Sequence, residues 1–132
     1  MPLATKLIAT AIDCPDPRRL AAFYQALTGW KITYEADDFA AVSPPQEGQP
    51  GLEFQRVEDY AAPQWPGQDR PQQFHLDFYT DEELDAAQSA AEALGAGAAR
   101  SQPQPDRWRF LLDPAGHPFC LCLSPAGEAE QV

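Results

Sequence analysis

Basic side chains, histidine and cysteine are all scarce in this chain of 132 residues. Nine Lys and Arg stand against 20 Asp and Glu, a formal net charge of −11. Such a surface repels phosphate backbones and anionic lipids, so neither nucleic acid nor a membrane surface is expected as a partner. A small anionic ligand stays open, because a pocket can be locally basic. There is no apolar run of about 18 residues that would span a membrane. The N-terminal stretch MPLATKLIATAIDC has neither the long apolar region nor the cleavage site of a secretory signal, and the expected location is the cytoplasm. The three cysteines, Cys14, Cys120 and Cys122, are an odd number. They read as free thiols in a reducing compartment. Cys120 and Cys122 share one face of an apolar run, poorly placed to bridge each other, and read as small buried hydrophobes. Also missing are a nucleophile elbow, a phosphate loop and a Cys-x-x-Cys zinc motif. Any imidazole chemistry falls on the only two histidines, His75 and His117.

What remains is ample for one folded domain, with 44% hydrophobic residues. Lys6 to Asp13 reads as a strand. Asp16-Pro17 then opens a helix, with Asp as N-cap and Pro in the first turn. Leu20, Phe23, Tyr24 and Leu27 make one apolar stripe, and Gly29 ends the helix. Strands are expected at Trp30 to Glu35, Phe39 to Ser43 and Leu52 to Val57. The second half repeats this plan. Phe74 to Thr80 alternates as a strand, with Phe74, Leu76 and Phe78 on the side to be packed under a helix. Gln73, His75, Asp77 and Tyr79 lie on the other side. Asp81 is the expected cap of the helix, Leu84, Ala87, Ala91 and Leu94 its stripe, and Gly95 its end. Strands at Ala98 to Ser101, Trp108 to Leu112 and Pro118 to Leu123 complete the half. Asp113 to Gly116, DPAG, is a type I turn signature, with Asp113 as its cap and His117 as a turn residue satisfied by backbone.

Gly29 and Gly95 lie 66 residues apart, half the chain length of 132. The fold expected is therefore α+β: two tandem βαβββ modules forming a cupped mixed β-sheet with helices outside. A single domain covers 1–123, with module one at about 5–58, a linker at about 59–72 and module two at about 73–123; residues 124–132 are an expected disordered tail. The proline-rich linker carries Trp65, a residue that either packs back on the domain or lines a site.

The segments IDCPDPRRLAAFYQALTGW, HLDFYTDEELDAA, ALGA and LLDPAGHPFCLC, in this order and spacing, resemble the vicinal oxygen chelate superfamily, and within it the glyoxalase-like subgroup. The likeness runs from about Lys6 to Leu123. It implies a cavity in the cup, a small-molecule ligand and frequently a homodimer. It also implies a metal site whose ligands, mostly His and Glu, come from the first and last strands of each module. Those positions fall on Ala9, Glu53, His75 and Cys120. Ala9 has no donor atom, and Cys120 stands where a Glu is usual. The implied cofactor is at most a divalent metal (Zn, Ni, Mn or Fe) on an incomplete set of His75, Glu53 and Cys120.

Two functions remain open. The first is a lyase or isomerase moving a proton beside a carbonyl, with Glu53 or His75 as general base. The second is a protein that sequesters a drug or metabolite, as bleomycin-resistance members do, with Trp65 and Trp108 stacking on it. In either case Gln55, Gln73, Asp77, Tyr79, Trp65, Trp108 and Arg109 are expected to touch the ligand. Arg107, Trp108 and Arg109 alternate, and the sequence leaves open which face lines the cup.

Overall fold

A computed structural model describes residues 2–125. The elements run β1 (Ala9–Cys14), α1 (Pro17–Thr28), β2 (Lys31–Glu35), β3 (Phe39–Ser43), β4 (Gly51–Arg56), β5 (Leu76–Thr80), α2 (Leu84–Ala93), β6 (Gly97–Ala98), β7 (Trp108–Leu112) and β8 (Pro118–Leu123). They form two compact units, Met1–Ala61 and Ala62–Val132. Each holds one helix and one four-stranded mixed sheet, ordered β1-β4-β3-β2 and β5-β8-β7-β6. These are the two βαβββ modules of the expected α+β fold. In both, the first strand lies at one edge of the sheet and pairs in parallel with the last.

In module one, Asp16 accepts the backbone N–H of Arg19 at 3.3 Å and starts α1. Gly29, at φ 75°, closes it by donating to Gln25 O at 2.8 Å. Leu20, Phe23 and Tyr24 are buried, as are Ile12, Ala40, Val42, Leu52 and Phe54 of the sheet. The Tyr24 and Phe54 rings stack at 5.5 Å. The first strand begins later than expected. Lys6 to Ile8 lie outside β1, although Ile8 O accepts the Gly51 N–H at 3.0 Å, and Leu7 and Ile8 are exposed.

Module two departs from expectation at the start of its helix. Asp81 does not cap α2. The Thr80 hydroxyl accepts the Glu82 N–H at 3.1 Å, a local turn that holds the chain out of helix, and Glu83 takes the N-cap position without a side-chain bond. Phe74 is also not packed under the helix. It precedes β5 and is 63% exposed, so the apolar side of the strand rests on Leu76 and Phe78 alone. Leu94 caps α2, and Gly95 follows at φ 118°. Ser124 donates to Thr80 O at 2.9 Å; the expected tail lies, from residue 126 on, outside the described residues.

The DPAG turn delivers the chain into β8. Gly116 N–H reaches Asp113 O at 2.8 Å. The buried Asp113 carboxylate accepts the N–H groups of Ala115 and His117 at 2.9 and 3.0 Å. Gly116 has φ +90°, and a Cβ there would stand 2.8 Å from Ala62 Cβ. Gly97 has open space around its missing Cβ. Gly116→Ala is therefore expected to lower stability by about 1–3 kcal/mol, through backbone strain plus the clash, and Gly97→Ala to leave it nearly unchanged. Urea denaturation of both variants checks the contrast.

Candidate functional site

Residues paired across adjacent strands point to the same side of a sheet. In module two, Asp77 lies beside Cys120 and Cys120 beside Phe110; Tyr79 lies beside Cys122 and Cys122 beside Trp108. These two rows share one face. The opposite face carries Leu76, Phe119 and Leu111 in one row and Phe78, Leu121 and Arg109 in the next. Helix α2 covers that second face. Arg109 belongs to it: Nη1 contacts Asp85 Oδ1 and Gln88 Oε1 of α2, each at 2.9 Å. Its Nε donates to Pro105 O at 2.6 Å. Arg109 is thus bonded to α2, and Trp108 lies on the opposite face of the strand.

On that face His75, one residue before β5, is held from three sides. Nδ1 lies 3.2 Å from Gln72 Oε1 and Nε2 lies 3.2 Å from Asp77 Oδ1. The ring meets Phe110 edge-to-face, with centroids 5.2 Å apart. Trp65 lies across Phe110 at 4.3 Å. Its loop is closed by Gln64 N–H to Arg70 O at 2.6 Å and by Arg70 Nε to Ala62 O at 3.0 Å. Trp65 therefore packs back, and in doing so becomes part of the face. Trp65, Trp108 and Cys122 flank a buried cluster of Ala99, Phe110 and Cys120. Gln73 is exposed and lies outside β5, so the polar strand face is shorter than expected; Tyr79 is on it and 72% exposed.

Cys120 is almost fully buried, at 2% exposure. Burial, with the Asp77 carboxylate next and Cys122 after it, pushes its thiol far above the ordinary range. Burial also raises the Cys122 thiol, with Asp77 adding to it. Both are protonated at neutral pH. Asp77 thus receives His75 on one side and the Cys120 thiol on the other. One donor atom each from His75, Asp77 and Cys120 lie within 4.8 Å of one another, the group of potential metal ligands close enough to share one ion among the described residues. Asp77 was visible in the sequence as a polar neighbour of His75. Its pairing with Cys120 was not, because parallel register between strands some 40 residues apart leaves no local signature.

Module one offers less. Glu53 is half-buried, with Ala11 on one neighbouring strand and Ala41 on the other. It opens on a recess of about 210 Å3 bordered by Ile8, Ala9, Ser43, Gln46 and Gly51 among others. Gln55, next along the strand, is exposed and lies beside Asp13 and Phe39. Ala9 is paired with Gly51, and neither carries a donor side chain. Of the four positions implied by resemblance, Ala9 carries no donor side chain, Glu53 belongs to the sheet of module one, and His75 and Cys120 of module two share Asp77 as a neighbour.

No helix of the described residues is long and apolar enough to cross a membrane. No curated protein matches the chain in sequence. Solved structures do match in fold. One is a glyoxalase/bleomycin resistance protein/dioxygenase family enzyme from Burkholderia phytofirmans PsJN, at 19% identity and TM-score 0.65, covering 89% of this chain and 97% of that one. A second is a fosfomycin resistance protein from Mesorhizobium loti, at 16% identity and TM-score 0.63, covering 100% of both chains. A third is the trypanothione-dependent glyoxalase I of Leishmania major, at 14% identity and TM-score 0.66, covering 97% of this chain and 93% of that one. At these identities the likeness speaks for the fold alone. The sequence profile of the glyoxalase-like domain matches residues 9–122, and the chain belongs to that family, within the vicinal oxygen chelate superfamily.

Proposed function

We propose that this protein, a cytoplasmic homodimer, binds a small, flat, oxygen-bearing organic molecule against the open face of module two. The observation that carries the reading is a polar cluster set in an aromatic surround: His75, Asp77 and Cys120 beside Trp108, Phe110 and Trp65. Ligand sites combine apolar walls with a few convergent polar groups. Here Trp108 and Tyr79 offer ring faces to the molecule, while Asp77, 62% exposed at its side chain, accepts from its hydroxyl or amine. Both nitrogens of His75 already have partners, which suits holding a shape better than shuttling a proton. Sequestration of a drug or metabolite follows from this arrangement. One structural neighbour is named as a fosfomycin resistance protein.

Lyase or isomerase chemistry is the second reading, and Glu53 favours it. Glu53 is half-buried and borders a recess lined by Ala9, Ala41 and Ser43 among others, a suitable place for a general base acting beside a carbonyl. Neighbours named as glyoxalase I and lactoylglutathione lyase point to hemithioacetals as the first substrates to try.

Titration with planar hydroxylated or carbonyl compounds is expected to quench tryptophan fluorescence. Trp108→Ala should weaken binding about tenfold, the scale of a lost aromatic contact plus its buried area. Arg109→Ala should leave affinity unchanged, since that side chain is bonded to α2. Equal loss in both variants, or no binding across the panel, would overturn the reading. If hemithioacetals are turned over, Glu53→Gln is expected to lower kcat by about 10²–10⁴-fold, read in a steady-state assay. Sedimentation should give the mass of two 14.5 kDa chains.

A further inference from the structure

Acidic side chains keep to water unless something compensates them. Among the described residues every Asp and Glu is exposed except Asp113 and Glu53. Asp113 is compensated, since its carboxylate accepts two backbone N–H groups at 2.9 and 3.0 Å. Glu53 has no such partner: it is half-buried, and its side chain makes no hydrogen bond or ion pair among the described residues. The cations go elsewhere. Arg18 pairs with the exposed Glu35 and Asp37, and Arg109 with the exposed Asp85. Lys31, on the edge strand β2, is exposed and forms no ion pair among the described residues.

We infer that the recess beside Glu53 binds a small organic ammonium ion, with the Glu53 carboxylate as its counter-ion. The strand neighbours of Glu53 are Ala11 and Ala41, whose methyl groups are too short to cover the carboxylate. The recess measures about 210 Å3, below the roughly 300–1,000 Å3 of pockets for drug-sized ligands, so its guest has only a few carbons. Ile8, Ala9, Ala41 and Pro44 supply apolar walls for an alkyl chain. The charged residues of the lining are Glu53 and Glu47, with no Lys, Arg or His. An anion entering there faces two carboxylates and a chain of net charge −11, and a cation is drawn in by both. Because Glu53 holds no internal partner, a guest ammonium gains that pair outright and displaces nothing. Partial burial makes the pair stronger than one formed in open water. A divalent metal fits less well. It needs several oxygen ligands, and the donors that converge on one point among the described residues do not include Glu53. The Ser43 hydroxyl, which also borders the recess, is already bonded to that of Thr33 at 2.9 Å.

The inference rests on the lyase or isomerase reading only in taking the recess as a ligand site, and it is tested by binding without turnover, so either can fail alone. Butylammonium is titrated into the full chain and followed by amide NMR, with butanol as its uncharged counterpart and butyrate as the anion. Butylammonium is expected to bind about tenfold more tightly than butanol, shifting the amide signals of Ala41, Gly51 and Glu53, and butyrate to shift none of them. Glu53→Gln keeps the shape and removes the charge, and should bring butylammonium down to the level of butanol. Glu92→Gln, at an exposed position on α2, changes the net charge equally and should leave the affinity unchanged. The inference is overturned if butanol binds as tightly as butylammonium, or if the preference survives in Glu53→Gln. It is also overturned if Glu92→Gln loses as much as Glu53→Gln, the mark of general surface charge. Turnover of hemithioacetals without butylammonium binding would end the inference and leave the reading, and butylammonium binding without turnover would do the reverse.

Discussion

The parallel pairing of the first and last strands of each module governs what this chain can do. In module two it sets Asp77 against Cys120 and Tyr79 against Cys122. Antiparallel pairing then extends those rows to Phe110 and Trp108. A shift of one residue would send every side chain of β8 to the other side of the sheet. Cys120 and Cys122 would then lie under α2, and Phe119 and Leu121 would be left facing outward. Burial of Phe119 and Leu111 prevents this. A buried Phe or Leu contributes about 1.5–3 kcal/mol, and both are fully buried here. The register is thus set by the apolar face, and the polar face inherits its geometry from it.

Arg109 illustrates the same ordering of effects. Its pairing with Asp85 and Gln88 looks specific, but Asp85 is 90% exposed at its side chain. Exposed ion pairs contribute about 0–1 kcal/mol, less than one buried neighbour in the strand. Leu111 therefore decides which way β7 faces, and Arg109, two residues earlier, goes where that decision sends it. Its long aliphatic stem can lie along the helix while the guanidinium finds partners at the rim. Trp108 is left on the open side.

This explains why some of the protein was legible from its sequence and some was not. Features made within a few residues were readable. The Asp16-Pro17 opening and Gly29 end of α1, the DPAG turn and the 66-residue repeat all have local causes. The failures come where a neighbour distant in sequence, or a competing local bond, decides. Asp81 is a good cap by type, yet the Thr80 hydroxyl takes the turn and moves the helix start to Leu84. Phe74 continues the alternation of β5, but Pro118 begins β8 opposite the residue before Leu76, and pairing stops short of Phe74. The role of Arg109 needed the position of α2. Resemblance pointed to Ala9, Glu53, His75 and Cys120 as a set, and the alternation of β5 placed Asp77 on the same face as His75.

Asp77 shows how strand geometry gathers polar groups at one point. A metal or ligand position needs donors converging on a point, and strand geometry permits several ways to supply them. Residues two apart on one strand share a face, so His75 and Asp77 converge without help from another element. A parallel neighbour then adds a third group at the same height. The cluster is compact, carries a thiol beside a carboxylate, and is buried at Cys120 while exposed at Asp77. Trp108 and Tyr79 lie in the next row of the same face, so the polar cluster is bordered by aromatic rings.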